Sequence, residues 1–343
     1  MCVCEGMSKR TKIGGLFEKA ERDEQHAGFR RPLAELDDVI DWEFFREEIV
    51  LACGYTGFGR PPHDAVLMFK ILVLQRYYDL SEEQTEFQIL DRRSFQQFLG
   101  LEAGGKVPDK NSIWDFKERL GEDGARGLFE RFDDYLTEAG LMARGGKIVD
   151  ASFVDVPRQH NTRGENEEIK AGGEPEGWEA KKRSHKDTDA RWTQKGGERH
   201  FGYKNHAKVA RTTKLIAGFE VTDAAVHDSQ TFEGLLDPAT DSGAWGDSAY
   251  RSEGSAAMLK EKGIRNHVHE RAYRNRPLTE AQRAANTAKS RVRARVEHVF
   301  GFMATMGAHR IRTIGIKRAR RGVGLANLVY NLFRFKQINY TMA

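Results

Sequence analysis

The spacing of hydrophobic residues divides this chain into a helical first part and a second part of alternating strands and helices. In the first part, His63–Tyr78 is strongly apolar and predicts a helix at the centre of a core. From Lys147 onward, short apolar runs rich in β-branched residues alternate with helical segments. We therefore predict a flexible arm at residues 1–30, an all-helical N-terminal domain at 31–140 and an α/β domain at 141–343.

Capping patterns indicate where two further helices of the first part begin. The sequence SEEQ at residues 81–84 is a capping box. After the break at Pro108, either Asn111 or Ser112 can cap the next helix. Several short helices joined by tight turns fit a helix-turn-helix DNA-binding domain. A helical packing or dimerisation domain fits the same pattern, and both interpretations stay open.

The second part predicts the element order β-β-β-α-β-α-β-α. The predicted strands cover residues 147–153, 201–209, 215–222, 244–249 and 264–268. The predicted helices cover residues 229–236, 252–262, 278–303 and 318–335. The second and third strands are expected to pair antiparallel across the short link at 211–214. Residues 155–200, rich in glycine and charged residues, predict a long loop insertion.

Three acidic residues lie in separate elements of this second part. Asp150 lies inside the first strand, and Asp247 lies at the end of a strand that Gly246 interrupts. Glu297 lies on a long helix, because no glycine or proline occurs between Leu278 and Phe300. Two strand aspartates and a helical glutamate have the order and setting of a two-metal site that cuts phosphodiester bonds. Such a cluster repels itself unless divalent cations neutralise it.

Positive charge is concentrated around the third acidic residue. The net charge of the chain is only +4, yet residues 265–336 hold 17 Lys/Arg and 3 Asp/Glu. Basic charge at that density suits a polyphosphate partner, with a solvated basic helix as the alternative. The predicted DNA contacts in this segment are Arg291, Arg293, Arg295, Lys317, Arg318, Arg320 and Arg321. Lys204 and His206 share one face of a predicted strand, where they either approach DNA or cover the sheet.

Composition excludes several other classes of protein. The chain has no apolar run long enough to span a membrane and no apolar segment typical of a secretory signal. Its three cysteines are too few for a disulfide framework. We therefore expect a cytoplasmic protein with no membrane association.

Longer motifs run through both parts of the chain. They include VPDKNSIWDF, IVDASFVDVPRQHNTRGENEEIK, HFGYKNHAKV, WGDSAYRS and RVRARVEHVFG. With these motifs the chain resembles a bacterial insertion-sequence transposase of the IS-five group. The resemblance implies a ribonuclease-H-like catalytic domain, a mixed sheet flanked by helices. It also makes Asp150, Asp247 and Glu297 the catalytic DDE triad on the first strand, the fourth strand and the final helix of that fold.

The resemblance further implies a cofactor and partners. Asp150 would bridge two Mg²⁺ ions about 3.5–4 Å apart, with Asp247 and Glu297 each completing one coordination shell and Mn²⁺ as a substitute. The substrates would be the element's terminal inverted repeats and a target DNA. The enzyme would hydrolyse the element's ends and transfer the 3′-hydroxyl to the target. Two ends must be held together, so the active form is expected to be at least a homodimer.

Two positions depart from the family pattern Y-x2-R-x3-E-x6-K around the glutamate. Arg293 and Glu297 match, but Ser290 and Ala304 stand where the tyrosine and the lysine are expected. Those positions usually contact terminal DNA in the family, so end binding is in question. Two alternatives stay open beside an active transposase. One is a metal-dependent nuclease without strand transfer, and the other is an inactive DNA-binding relic that occupies inverted repeats.

Overall fold

The computed structural model describes residues 31–54, 63–101 and 105–342. The predicted arm at residues 1–30 lies outside this range. The helices described in the first part are α1 (Pro32–Val39), α2 (Arg46–Cys53), α3 (Ala65–Tyr77), α4 (Glu82–Asp91), α5 (Arg93–Leu99) and α6 (Lys110–Glu138). A short 3₁₀ turn, Trp42–Phe45, lies between α1 and α2. The prediction of a helical first part is therefore confirmed for the described residues.

Side-chain caps begin three of these helices. Ser81 accepts a hydrogen bond from the backbone N–H of Gln84, which confirms the predicted start of α4. For α6 the prediction of Asn111 or Ser112 is wrong. The carboxylate of Asp109 accepts from the N–H of Ser112 at 2.7 Å, because the helix already begins at residue 110. Asp64 caps α3 in the same way, and ten of the thirteen residues of that helix are buried.

The second part forms one mixed sheet. Its strands are β1 (Gly145–Asp155), β2 (Arg191–Lys195), β3 (Glu198–Ala210), β4 (Ile216–Asp223), β5 (Asp241–Trp245) and β6 (Arg265–Asn266). Its helices are α7 (Arg163–Lys170), α8 (Ala180–Arg183), α9 (Ser229–Leu235), α10 (Glu253–Glu261), α11 (Glu280–Thr305) and α12 (Ile316–Met342). A further 3₁₀ turn, Ser248–Tyr250, follows β5.

The strand order confirms a ribonuclease-H-like sheet. β1 is central, antiparallel to β3 on one side and parallel to β5 on the other. β6 continues the sheet parallel to β5, and β4 pairs antiparallel with β3. Apart from β2, the order is β4-β3-β1-β5-β6, with β3 the reversed strand. The predicted antiparallel pairing of 201–209 with 215–222 is confirmed.

The segment between β1 and β3 is more ordered than predicted. It holds α7, α8 and β2, whereas we predicted a loop over 155–200. A capping box between Thr162 and Glu165 begins α7. Gly196 and Gly197 both have positive φ (61° and 90°), which allows the tight turn that pairs β2 with β3. Short capped helices and a glycine hairpin carry little apolar periodicity, so the sequence pattern did not reveal them.

One hydrophobic core joins the two parts of the chain. It includes Phe69 on α3 and Phe132 on α6, together with Ile148 of β1 and Phe333 on α12. The opposite face of the sheet packs α9 and α10 in a smaller cluster that includes Val149. The proposed boundary near residue 140 stays a prediction, since helices on both sides of it share the core. None of the described helices is long and apolar enough to cross a membrane.

Ion pairs fasten α12 to α6. Glu118 accepts hydrogen bonds from Arg318 at 2.9 Å and from Arg321 at 2.7 Å. Arg320 lies 3.5 Å from Glu122, and Arg321 also donates to the backbone carbonyl of Lys117. The carboxylates of α6 and the arginines that begin α12 belong to different parts of the chain. In this structure they pair within one chain.

We expect Glu118→Gln to destabilise the protein by about 2–3 kcal/mol, because the buried guanidinium of Arg321 loses its countercharge. Urea unfolding measures the change. The matched control is Asp115→Asn, which breaks an exposed pair with Arg119 on the same helix and should cost under about 0.5 kcal/mol. Equal losses of stability in the two variants would contradict the role of Glu118 as the countercharge of Arg321.

Candidate active site

The pairing of β1 with β5 brings Asp150 and Asp247 side by side. Ile148 on β1 is opposite Trp245 on β5 in the parallel register. Each aspartate lies two residues further along the chain, Asp150 within β1 and Asp247 just after β5, so the two lie at the same level of the sheet. Asp247 stands just after β5, where its carboxylate accepts a hydrogen bond from the N–H of Ala249 at 2.8 Å and caps the 3₁₀ turn.

Asp150 is buried and is held by an arginine of α11. Only 7% of the residue is exposed, and its Oδ2 accepts a hydrogen bond from Arg293 Nη2 at 2.7 Å. Its Oδ1 accepts from the backbone N–H of Ala151. The guanidinium neutralises a carboxylate that burial would otherwise penalise. Arg293 therefore pairs with Asp150 across the site.

Glu297 lies one helical turn beyond Arg293 and is exposed. Val296 and Val299, its neighbours on α11, are fully buried and anchor the helix. Among the residues that the structure describes, no three His, Cys, Asp or Glu side chains lie close enough to hold a metal ion. The structure thus brings together two of the three predicted carboxylates and leaves the third at the surface.

Tyr250 and His269 also border the two aspartates. Tyr250 is completely buried, and its hydroxyl has no hydrogen-bond partner among the described residues. Burial, reinforced by the carboxylates of Asp150 and Asp247, raises the pKa of Tyr250 well above its ordinary value. Burial lowers the pKa of His269, and the nearby Arg293 acts in the same direction. The tyrosine therefore remains a neutral hydroxyl beside the carboxylates.

Lys204 and His206 point into the protein. Lys204 Nζ donates to Asp228 Oδ1 at 2.8 Å, with both side chains about one-tenth exposed. His206 is fully buried, with Nε2 2.9 Å from the hydroxyl of Thr222. Of the two interpretations left open, this conformation agrees with covering the sheet, since His206 has no surface to offer DNA. Asp228 is the N-cap residue of α9, but its side chain makes no cap hydrogen bond.

The other predicted DNA contacts fall into two groups. Arg318, Arg320 and Arg321 are engaged with Glu118 and Glu122, as described above. The second group is more exposed and consists of Arg291, Arg295 and Lys317. Arg295 donates to the backbone carbonyl of Arg211, whereas Arg291 and Lys317 make no hydrogen bond or ion pair with a described residue.

The arginines of α11 do not share one face of the helix. At about 100° per residue, Arg291 and Arg295 lie roughly 200° around the axis from Arg293 and Glu297. Arg293 faces the sheet and Asp150, so the other two arginines face away from it. Sequence spacing alone identifies this separation, but only the Asp150 contact shows which face is inside.

Sequence reasoning did not identify Tyr250 or His269 as parts of the site. A weak indication existed for Tyr250, since it follows Asp247 within the motif WGDSAYRS. His269 lies in a loop, and its backbone N–H donates to the carbonyl of Gly246. This contact joins residues that are distant in sequence. Such loop contacts leave no periodic pattern.

The sheet order, with Asp150 inside β1 and Asp247 just after the neighbouring β5, defines a ribonuclease-H-like enzyme. A family model described as "Transposase DDE domain" matches residues 143–332, more than half of the chain. The chain therefore belongs to this family and is an insertion-sequence DDE transposase, an enzyme that cleaves and transfers DNA. A model described as "Transposase domain (DUF772)" matches residues 18–119. The IS-five group is compatible with both matches and stays a prediction.

One solved structure is similar over most of the chain. It is a piggyBac transposase synaptic complex with hairpin DNA, at 12% sequence identity and a TM-score of 0.45. The similarity covers 93% of this chain and 77% of that chain. At that TM-score the two structures correspond only loosely.

We expect His206 to make the fold acid-sensitive. Burial lowers the pKa of its imidazole to about 4, against about 6.5 in an unfolded chain. A base with a depressed folded pKa contributes full stability above pH 6.5 and loses it as the pH falls from about 6.5 to about 4. Between pH 7 and pH 4, the free energy of unfolding of His206→Gln should therefore fall by about 3 kcal/mol less than that of wild type.

Urea unfolding at pH 7 and pH 4 measures this difference. The exposed His185 provides the control, since His185→Gln should leave the pH dependence unchanged. An acid transition that stays the same in His206→Gln would show that the ring is not neutral and buried in solution.

Proposed function

We propose that this transposase binds the terminal inverted repeats of its element, hydrolyses the phosphodiester bonds there and transfers the 3′-hydroxyl to target DNA. Asp150, Asp247 and Glu297 are the catalytic residues in this proposal. The observation that carries it is the parallel register of β1 and β5. That register sets two carboxylates together against the turn of α11 that holds Arg293 and Glu297.

The residues of the site fit a divalent cation such as Mg²⁺, with Mn²⁺ as a substitute. Carboxylates and an unpartnered buried hydroxyl are hard oxygen donors, which Mg²⁺ prefers over nitrogen or sulfur. Asp150 and Asp247 would hold the cations, and Glu297 would join them after a local movement of α11. Bound cations would supply Lewis-acid activation of the attacking oxygen and charge stabilisation of the leaving 3′-oxygen.

Arg293 has a second role in this proposal. Its guanidinium already supplies positive charge at Oδ2 of Asp150, so it keeps the buried carboxylate neutralised before cations bind. When it leaves Asp150, the guanidinium is free to contact a phosphate of the cleaved strand. Replacement of the Arg293 guanidinium by a cation at Asp150 would couple cation binding to DNA binding.

The exposed face of α11 and the start of α12 form the proposed DNA surface. Arg291, Arg295 and Lys317 lie there with their charges directed to solvent or only partly engaged. Positive charge at such positions attracts the phosphate backbone without reading sequence. Because the substrate is chromosomal DNA, the protein would act in the bacterial cytoplasm, and holding two element ends would require at least a dimer.

An inactive DNA-binding relic remains the second candidate, and one observation favours it. Glu297 is exposed and does not join the two aspartates among the described residues. Ser290 and Ala304, the two departures from the family pattern, lie on the same helix. A relic would bind inverted repeats and never cut them, whereas a nuclease would cut without joining.

Mg²⁺-dependent cleavage and joining of DNA that carries the element's ends tests the proposal. We expect wild type to cut and join, and Asp150→Asn, Asp247→Asn and Glu297→Gln each to lose at least about 10³-fold in rate, because metal ligation fails. Glu280→Gln, an exposed substitution in the first turn of α11, is the matched control and should retain activity.

Each other pattern of activity identifies an alternative. Pre-cut ends that wild type cannot join would indicate a nuclease. Binding without cleavage by wild type would indicate a relic. Full activity of Glu297→Gln would remove the glutamate from the catalytic set.

We expect Arg293→Gln to bind Mn²⁺ about 3- to 10-fold more tightly than wild type, because the cation no longer competes with a guanidinium at Asp150. Isothermal titration calorimetry without DNA measures the affinity. Arg291→Gln removes the same charge from the outward face of α11 and serves as the control. Equal affinities for wild type and Arg293→Gln would show that the guanidinium does not compete with the cation.

A further inference from the structure

A cationic pocket lies between the first part of the chain and the start of α12. Its volume is about 170 Å³, and its walls come from α3, α6, α12 and the loop after α11. Six of its lining side chains are cationic, namely Arg76, Lys117, Arg310, Arg312, Arg318 and Arg321. None of the acidic residues of the candidate active site lines it.

The carboxylates around this pocket do not balance its positive charge. Asp79 is shared by Arg76 and Arg310, at 3.0 and 2.8 Å. Glu118 is shared by two arginines of α12, and Glu82 pairs with Lys117. Six cationic groups therefore face three carboxylates. Guanidinium groups gathered in a partly buried space repel one another unless an anion joins them.

Two buried donors in the pocket wall have no partner among the residues that the structure describes. They are Nε2 of Gln75 and Nε of Arg76, both shielded from water. Gln75 is 8% exposed, and its amide oxygen is already engaged by Lys117. A buried donor without an acceptor costs free energy, so both atoms indicate an acceptor that binds there.

Arg312 stands at the exposed side of the pocket. It makes no hydrogen bond or ion pair with any residue in the described ranges. Its charge is nevertheless close enough to Arg76 to affect the pKa of that residue. Burial lowers the pKa of Arg76, and Arg310 and Arg312 act in the same direction while Asp79 opposes them. Free donors on Arg312, together with the two buried ones, match the several acceptor oxygens of a phosphate.

We infer that this pocket binds a phosphate group of the DNA backbone, at a site separate from the acidic residues. The inference rests on the proposed function, because it takes DNA as the substrate. A phosphodiester carries the charge that the pocket lacks and offers oxygens to Gln75, Arg76 and Arg312. The contact is with the backbone, so it positions DNA without reading its sequence.

The pocket is linked directly to the strand that carries Asp150. The loop after α11 pairs with the end of β1, where the N–H of Ile311 donates to the carbonyl of Asp155 at 2.9 Å. Five residues separate Asp150 from Asp155, a span of about 16 Å along a strand. The loop that lines the pocket is therefore joined by backbone hydrogen bonds to the strand that carries Asp150.

Salt-dependent binding of a fluorescein-labelled random-sequence duplex tests the inference on the full chain. Arg312→Gln should weaken binding about 3- to 10-fold and reduce the slope of log K against log salt by about 1, as expected when one phosphate contact is lost. Arg119→Gln, which removes the same charge from an exposed position of α6 outside the pocket, should leave the slope unchanged. An unchanged slope in Arg312→Gln, or equal losses in both variants, would overturn the inference.

Gln75→Leu provides a second variant that separates folding from binding. Removing the unpartnered buried donor should offset the loss of the hydrogen bond from Lys117, so the thermal midpoint should stay about the same. The same variant should weaken duplex binding, because the amide no longer donates to phosphate. If Gln75→Leu keeps its stability and also keeps the wild-type DNA affinity and the wild-type slope of log K against log salt, the inference is contradicted.

Titration with inorganic phosphate distinguishes a small anion from DNA. If Arg312→Gln weakens phosphate binding measured by calorimetry and leaves duplex binding intact, the pocket takes a free phosphate and the DNA assignment is wrong. Ethylation of single phosphates should weaken wild-type binding at one position away from the cleaved bond, and this effect should vanish in Arg312→Gln.

Failure of the proposed function gives a different result. Wild type that binds no duplex at all would contradict the proposed function as well as this inference. Wild type that binds and cuts DNA, with an unaltered Arg312→Gln variant, would contradict the pocket alone.

Discussion

A carboxylate buried in the central strand is the constraint on which the rest of the site depends. Asp150 has little contact with water, so a positive charge must lie against it. In this structure the charge comes from Arg293, whose hydrogen bond fixes how α11 lies across β1 and β5. The same helix carries Glu297 and the outward arginines. Docking of α11 therefore sets the position of the acidic and the basic groups together.

The C-terminal helix joins the two parts of the chain. α12 packs against α6 and β4, so one helix contacts both the first part and the sheet. Tyr77 of α3 stacks on Phe333 of α12 at 3.8 Å, and the pairs from Glu118 fix the start of α12. Movement of the helical part relative to the sheet would have to break this shared core and its buried ion pairs.

Basic charge that appears uniform in the sequence has three different roles in the structure. Arg321 forms an internal ion pair with Glu118, Arg293 neutralises the buried carboxylate of Asp150, and Arg312 has no partner in the part of the chain that the structure describes. Surplus charge next to unpartnered buried donors is a stronger indication of a polyanion site than charge density along the chain. The cationic pocket is defined by that combination.

The sequence by itself determined the helical first part, the main strands and helices of the second part and the antiparallel pairing of β3 with β4, because periodicity and helix breakers act locally along the chain. It did not determine α7, α8 and β2, which carry little periodicity. The sequence also indicated that Asp150 lies within a strand and Asp247 at the end of another, but their parallel pairing was seen only in the structure. Only the tertiary structure decided that Arg293 faces Asp150, that Lys204 and His206 are buried, and that Glu297 stays exposed. Those outcomes depend on which helix face meets the sheet and on which opposite charge lies nearest, and both are set by contacts between residues far apart in sequence.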